Sequence, residues 1–158
     1  MDIYLTYPSI KNSQLLSRSR SRSPINAPQI YIIGIFGSRK NMNETDLYET
    51  ILNPVLSELG RMPEKILMPA DNNATSVYLE DWAKHLKIPL QAFQADFHSQ
   101  GKRATILRDG RIERECTVAI VFQAPRSTRY NTLAERMVKH GKRVFFIDIN
   151  GDLVELTN

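Results

Sequence analysis

The chain predicts a doubly wound α/β fold, with helices on both faces of a parallel sheet, and three observations carry that prediction. Short runs such as IYIIGIF at 30–36, CTVAIVF at 116–122 and RVFFIDI at 143–149 are apolar at nearly every position, as strands covered on both faces require. Between the runs lie segments whose apolar residues recur every three or four positions, the spacing of a helix with one buried face. The chain has 158 residues and one cysteine, a length that suits one domain whose core needs no disulfide staple.

The first strand, at 30–36, ends in Gly37-Ser38-Arg39. A helix is expected at about 44–59, where Leu47, Ile51, Leu52, Val55, Leu56 and Leu59 share a face. Pro54 interrupts it and predicts a kink or a fresh start capped by Asn53. KILMPA at 65–70 is the second strand, followed by Asp71-Asn72-Asn73 and a helix at about 75–86 with Leu79, Trp82, Ala83 and Leu86 inward. The third strand is expected at 88–93, with Pro89 near its beginning because proline cannot donate to a ladder. A polar stretch, FHSQGKR, leads into a helix at about 102–113. After the fourth strand at 116–122 come the loop APRSTR, a helix near 130–140 stopped by Gly141, and the fifth strand at 143–149.

Five strands joined by right-handed crossovers put all the strand ends and helix starts on one edge. The order 3-2-1-4-5 is expected, a Rossmann-like three-layer sandwich with its switch point between strands 1 and 4, where ligands collect in such folds. Gly37-Ser38-Arg39 and the loop 123–129 then flank one crevice. Gly37 lets backbone approach an anion, Ser38 offers a hydroxyl and Arg39 a cationic fork; the alternative is a turn glycine, a cap and an exposed loop residue. Asp71, Asn72 and Asn73 suit ribose or base recognition, or simply cap the next helix. His85, His98 and His140 lack metal-ligand spacing, being assigned to a helix surface, a loop and a helix end, and Cys116 reads as core. No metal site and no required cofactor is expected.

The 21 basic and 17 acidic residues give a net charge of +4 and a pI near 9.3. Residues 1–28 hold four basic residues and one acid, so +3 of the excess lies in this extension, which includes SRSRSRSP and is expected to be flexible or packed on a neighbouring subunit. Residues 29–158 form the folded domain and carry +1. No apolar run approaches the roughly 20 residues of a membrane span and no secretory signal pattern is present, so a cytoplasmic protein without a membrane partner is expected.

IFGSR at 35–39, WAKHLKIPL at 82–90, ADFHSQGKRATILRDGRI at 95–112 and HGKRVFF at 140–146 together resemble the SLOG superfamily, the Rossmann-like group containing the YpsA, DprA and LOG proteins, and within it the small YspA-like branch. The resemblance covers about 30–145. It implies a phosphate or nucleotide pocket that includes Gly37, Ser38 and Arg39. It maps the family's glycine-rich second turn onto Ala70–Ser76, where every glycine is replaced, and a polar loop with an Arg-Asn pair onto Gly101-Lys102 and Arg108-Asp109. In PRSTRY at 125–130, Arg129 replaces an expected glycine, while Ser127 and Thr128 precede a helix start that suits an anion. The PGGxGTxxE motif of the catalytic LOG enzymes is absent.

The expected function is binding, sensing or sequestration of a nucleotide or nucleotide-derived small molecule. Lys102, Arg108 and Arg39 would meet phosphate, with Ser38, Asn72, Asn73, Asp109, Ser127 and Thr128 around the ligand. As an enzyme, the chain would hydrolyse an N-glycosidic bond with Asp71 or Asp96 acting on water or the ribose. A third reading is a nucleic-acid or protein interaction module using the basic extension. The resemblance also implies a homo-oligomer.

Overall fold

The strands assemble because their apolar runs have no exposed face to keep. The computed structural model describes residues 30–157; the expectations for the N-terminal extension fall outside them. The elements are β1 (Ile32–Phe36), α1 (Glu44–Leu47), a π-helical turn (Tyr48–Leu52), α2 (Asn53–Leu59), β2 (Lys65–Pro69), α3 (Ala74–Leu86), β3 (Leu90–Phe93), α4 (Phe97–Gln100), a 3-10 turn (Gly101–Arg103), α5 (Ala104–Glu115), β4 (Val118–Phe122), α6 (Arg129–Lys139), β5 (Arg143–Ile147) and β6 (Leu153–Leu156). Six strands form one sheet in the order β3-β2-β1-β4-β5-β6. The first five are parallel and β6 pairs antiparallel with β5. The fold is therefore Rossmann-like, with the expected order extended by one strand.

That extra strand follows a hairpin. Asn150-Gly151 supplies the turn, with Gly151 at φ 90, and the Asp148 carboxylate accepts from the backbone N–H groups of Asn150 and Asp152 at 2.8 and 3.0 Å. Leu153 and Glu155 are buried while Val154 is exposed, the period-2 pattern of a strand with one covered face.

Alternation along the parallel strands divides the core in two. Ile33, Ile35, Ile66, Met68, Val118 and Ile120 pack against α1, α2 and α3. Phe36, Leu67, Ala119 and Val121 face the other layer, where Ile112 of α5 and Leu133, Ala134 and Met137 of α6 cover them. No helix among the described residues is long and apolar enough to cross a membrane.

The fresh helical start expected at Pro54 is present, α2 beginning at Asn53 with Pro54 in its first turn, but Asn53 is not its cap. Asn53 has helical backbone angles, and its buried Oδ1 accepts from the indole N–H of Trp82 at 3.4 Å. The π-helical turn just before it widens the spiral ahead of the proline, where the ring would otherwise press on the carbonyl of residue 50. The polar stretch before α5, where the sequence predicts a loop for His98, is helical. Asp96 caps the short α4 through Ser99 N–H at 3.1 Å, His98 lies on that helix, and the 3-10 turn moves the start of α5 to Ala104.

Candidate functional site

The switch point lies where β1 and β4 run side by side, Phe36 opposite Val121, and the chain leaves β1 through Gly37. This glycine has φ 79, and a Cβ built on it would come 2.8 Å from the Phe122 carbonyl oxygen. Backbone geometry and space both exclude a side chain there. Ser38 follows as an exposed residue. Arg39 is tied to the start of α3 on both sides of its backbone: its N–H donates to Thr75 Oγ1 at 3.4 Å, and the Thr75 hydroxyl donates to its carbonyl at 3.3 Å. Its guanidinium turns to the β5–β6 hairpin and donates to the Asp148 carbonyl at 2.9 Å. That acceptor is neutral, so the contact fixes the side chain without cancelling its charge.

Two longer helices begin at the same edge. Asn73 caps α3, its Oδ1 accepting from Ser76 N–H at 2.9 Å, while Asn72 beside it is exposed. At α6 the Ser127 hydroxyl accepts from Arg129 N–H at 3.1 Å, and the exposed Thr128 makes no side-chain cap. Lys102 is exposed on the 3-10 turn before α5. These placements bring Ser38, Arg39, Asn72, Ser127 and Thr128 to the carboxyl edge of the sheet.

Arg108 and Asp109 are placed differently. Each side chain is 3% exposed, so their pairing is interior. Arg108 Nε donates to Asp109 Oδ1 at 3.0 Å and its Nη1 to Asp71 Oδ1 at 3.1 Å. Asp109 Oδ2 accepts from the Arg129 guanidinium and from the Tyr130 hydroxyl, the latter at 2.9 Å. The Arg129 guanidinium also stacks over the Tyr130 ring, 4.7 Å from its centroid. This chain of two arginines, two aspartates and one tyrosine joins the loop after β2 to α5 and to the start of α6. Burial opposes the charge on Arg108, but Asp109 and Asp71 outweigh it and raise its pKa further. Burial, then the Asp109 charge, push the Tyr130 phenol up to about 12, so Tyr130 stays a proton donor to Asp109.

The two candidate catalytic carboxylates both have structural partners. Asp71 holds Arg108 while its side chain remains 47% exposed, and Asp96 caps α4. Arg111 donates to the Gln94 carbonyl at 2.7 Å, whereas Glu113 pairs with Arg136 through two bonds of 2.8 and 2.9 Å. Cys116 is buried, and burial pushes its thiol up to about 11, which suits a core residue and not a nucleophile.

Sequence reasoning missed Thr75, Tyr130 and the hairpin that holds Arg39, and treated Arg129 only as a lost glycine. Asn150-Gly151 between two apolar runs is the available signal for the hairpin. Comparison of the chain with protein-family models, curated proteins and solved structures found no match.

Proposed function

We propose that this chain is a SLOG-like cytoplasmic module that binds a nucleotide or nucleotide-derived small molecule at the carboxyl edge of its sheet, for sensing or sequestration. The observation that carries the reading is the state of its arginines. Arg108 and Arg129 are neutralised by Asp71 and Asp109, while Arg39, at the switch point, is fixed by a neutral carbonyl. A phosphate placed there gains a preoriented guanidinium, the Ser38 hydroxyl and the positive ends of α3 and α6. The exposed Asn72 and Thr128 lie on the loops where sugar and base would rest. Binding is favoured over hydrolysis because Asp71 and Asp96 already hold other groups.

Isothermal titration with mono-, di- and cyclic nucleotides tests the reading. Arg39→Ala is expected to weaken the nucleotide that binds by at least about tenfold, the loss of one charge-assisted contact of about 1.5–3 kcal/mol. Absence of binding across the panel, or equal affinity in the variant, overturns it.

A further inference from the structure

The near-neutral folded domain conceals an uneven distribution of charge. The layer formed by residues 44–59 and 74–86 holds six carboxylates and one lysine, a net −5. The opposite layer, residues 97–115 and 129–139, holds eight basic and four acidic residues, a net +4. The sheet separates them.

The basic layer contains a groove of about 640 Å³ between α5 and α6. Its acids lie beneath its cations. Asp109 and Glu113 side chains are 3% and 14% exposed, whereas their partners Arg129 and Arg136 are 32% and 47% exposed. Arg114 adds an exposed cation at the same groove. Along α5, Ile106, Gly110 and Arg114 stand four residues apart on one row; Ile106 is 51% exposed and Leu107 beside it 37%. Asp109 and Glu113 offset Arg129 and Arg136, so the groove's excess positive charge rests on the exposed Arg111 and Arg114, beside the apolar surface of Ile106 and Leu107.

The acidic layer offers the converse. Val77 on α3 is 52% exposed, and Glu80 and Asp81, one turn further on the same face, are exposed too. Glu44, Asp46 and Glu49 are exposed on the neighbouring α1 and π-helical turn. We propose that the α5–α6 groove receives the acidic α1–α3 face of a second copy of this chain, giving head-to-tail association. An apolar centre meets an apolar centre, and each is surrounded by charge of the opposite sign, the arrangement that steers and registers protein partners. Because the two surfaces lie on opposite sides of the sheet, the contact is heterologous, and it propagates from copy to copy unless its rotation closes a ring.

Sedimentation velocity of the full chain is the test. At about 0.01 M salt, where charges act over about 30 Å, the mean mass should rise with protein concentration, and at about 1 M, where the range is about 3 Å, it should fall back to the monomer. Ile106→Glu with Arg114→Glu removes the groove, and Val77→Lys with Asp81→Lys removes the acidic face. Each double variant should remain monomeric alone, with an unchanged circular dichroism melt. Mixed in equal amounts they should form a heterodimer and nothing larger, because one supplies an intact acidic face and the other an intact groove. A discrete, salt-insensitive dimer of the unaltered chain would overturn the proposal, as would a monomer at every concentration and salt. So would a mixture that stays monomeric, or continued assembly of the groove variant, which would assign the acidic face to the basic residues 1–28.

Discussion

Both edges of the sheet bury an arginine against carboxylates, and they differ in how the carboxylates are held. At the carboxyl edge Arg108 and Arg129 meet Asp71 and Asp109, two cations for two anions. At the amino edge Arg143, the first residue of β5, holds Glu155 of β6 through two bonds of 2.9 and 3.1 Å, and Glu58 of α2 lies close enough to feel both charges. There the second carboxylate, Glu58, is governed by burial and charge and not by a hydrogen bond to the arginine. The set at the carboxyl edge is closed by direct bonds, whereas at the amino edge Glu58 is a carboxylate whose titration burial displaces. The comparison also bears on the crevice: where arginines are matched by carboxylates they build the fold, and where one is held by a carbonyl, as Arg39 is, its charge remains for a ligand.

The largest effect is expected where the balanced set is broken. Asp109→Ala leaves Arg108 buried with only the half-exposed Asp71, and Arg129 and Tyr130 lose their shared acceptor. Removing one partner from a buried pair costs about 3–5 kcal/mol. For a domain of this size each kcal/mol corresponds to about 2–8 °C in Tm, so calorimetry should show a drop on the order of 10 °C or more. A drop of a degree or two would mean that water reaches the set and that the two edges do not differ as described.

The amino edge separates loss of a charge from loss of a pair. Glu155→Ala takes from Arg143, 8% exposed on its side chain, its two-bond partner and leaves the more distant Glu58 as its carboxylate, and should cost about 3 kcal/mol. Changing both residues together, Arg143→Met with Glu155→Leu, should come back to within about 1 kcal/mol of the unaltered chain, since well-packed apolar replacements of a buried pair are often neutral. Urea denaturation of the three proteins measures this. Equal destabilisation by the single and double changes would show that the pair itself, and not the stranded charge, holds β6 to β5.

How much of this is readable from the chain follows from the physics of each part. The five parallel strands are legible because burial on both faces leaves unbroken apolar runs, and the switch point follows from their order. β6 escapes because LVEL is four residues long with one exposed face, too short for a period to stand out. The carboxyl-edge loops are placed correctly by topology alone. The charge set beneath them is not, since Asp71 lies 37 residues from Arg108 and Arg129 lies 20 from Asp109. Within a polar helix such as ATILRDGRIERE, an Arg-Asp pair has the same appearance whether it faces water or the core. Only the packing of α5 against β1 and β2 turns Arg108 and Asp109 inward.

Glu58 yields the smallest effect and the one with a pH signature. Burial first, then the neighbouring Glu155, push Glu58 up to about 6 from an ordinary 4.5, against the opposing pull of Arg143. The folded state thus binds this proton more tightly than the unfolded chain does. Stability from this group is present below pH 4.5 and is lost as pH rises through 6, because over that interval the folded protein holds more protons than the unfolded one. With solvent screening of a partly exposed side chain the change is about 1 kcal/mol. Glu58→Gln keeps the shape and removes the charge, so it should be more stable than the unaltered chain above pH 6 by about that amount. The advantage should fade toward pH 4.5. The difference between the two proteins' unfolding free energies, followed from pH 4 to 8, gives the curve directly. A difference that stays constant with pH would mean that Glu58 titrates normally and that burial at the amino edge does not set it apart from the carboxyl edge.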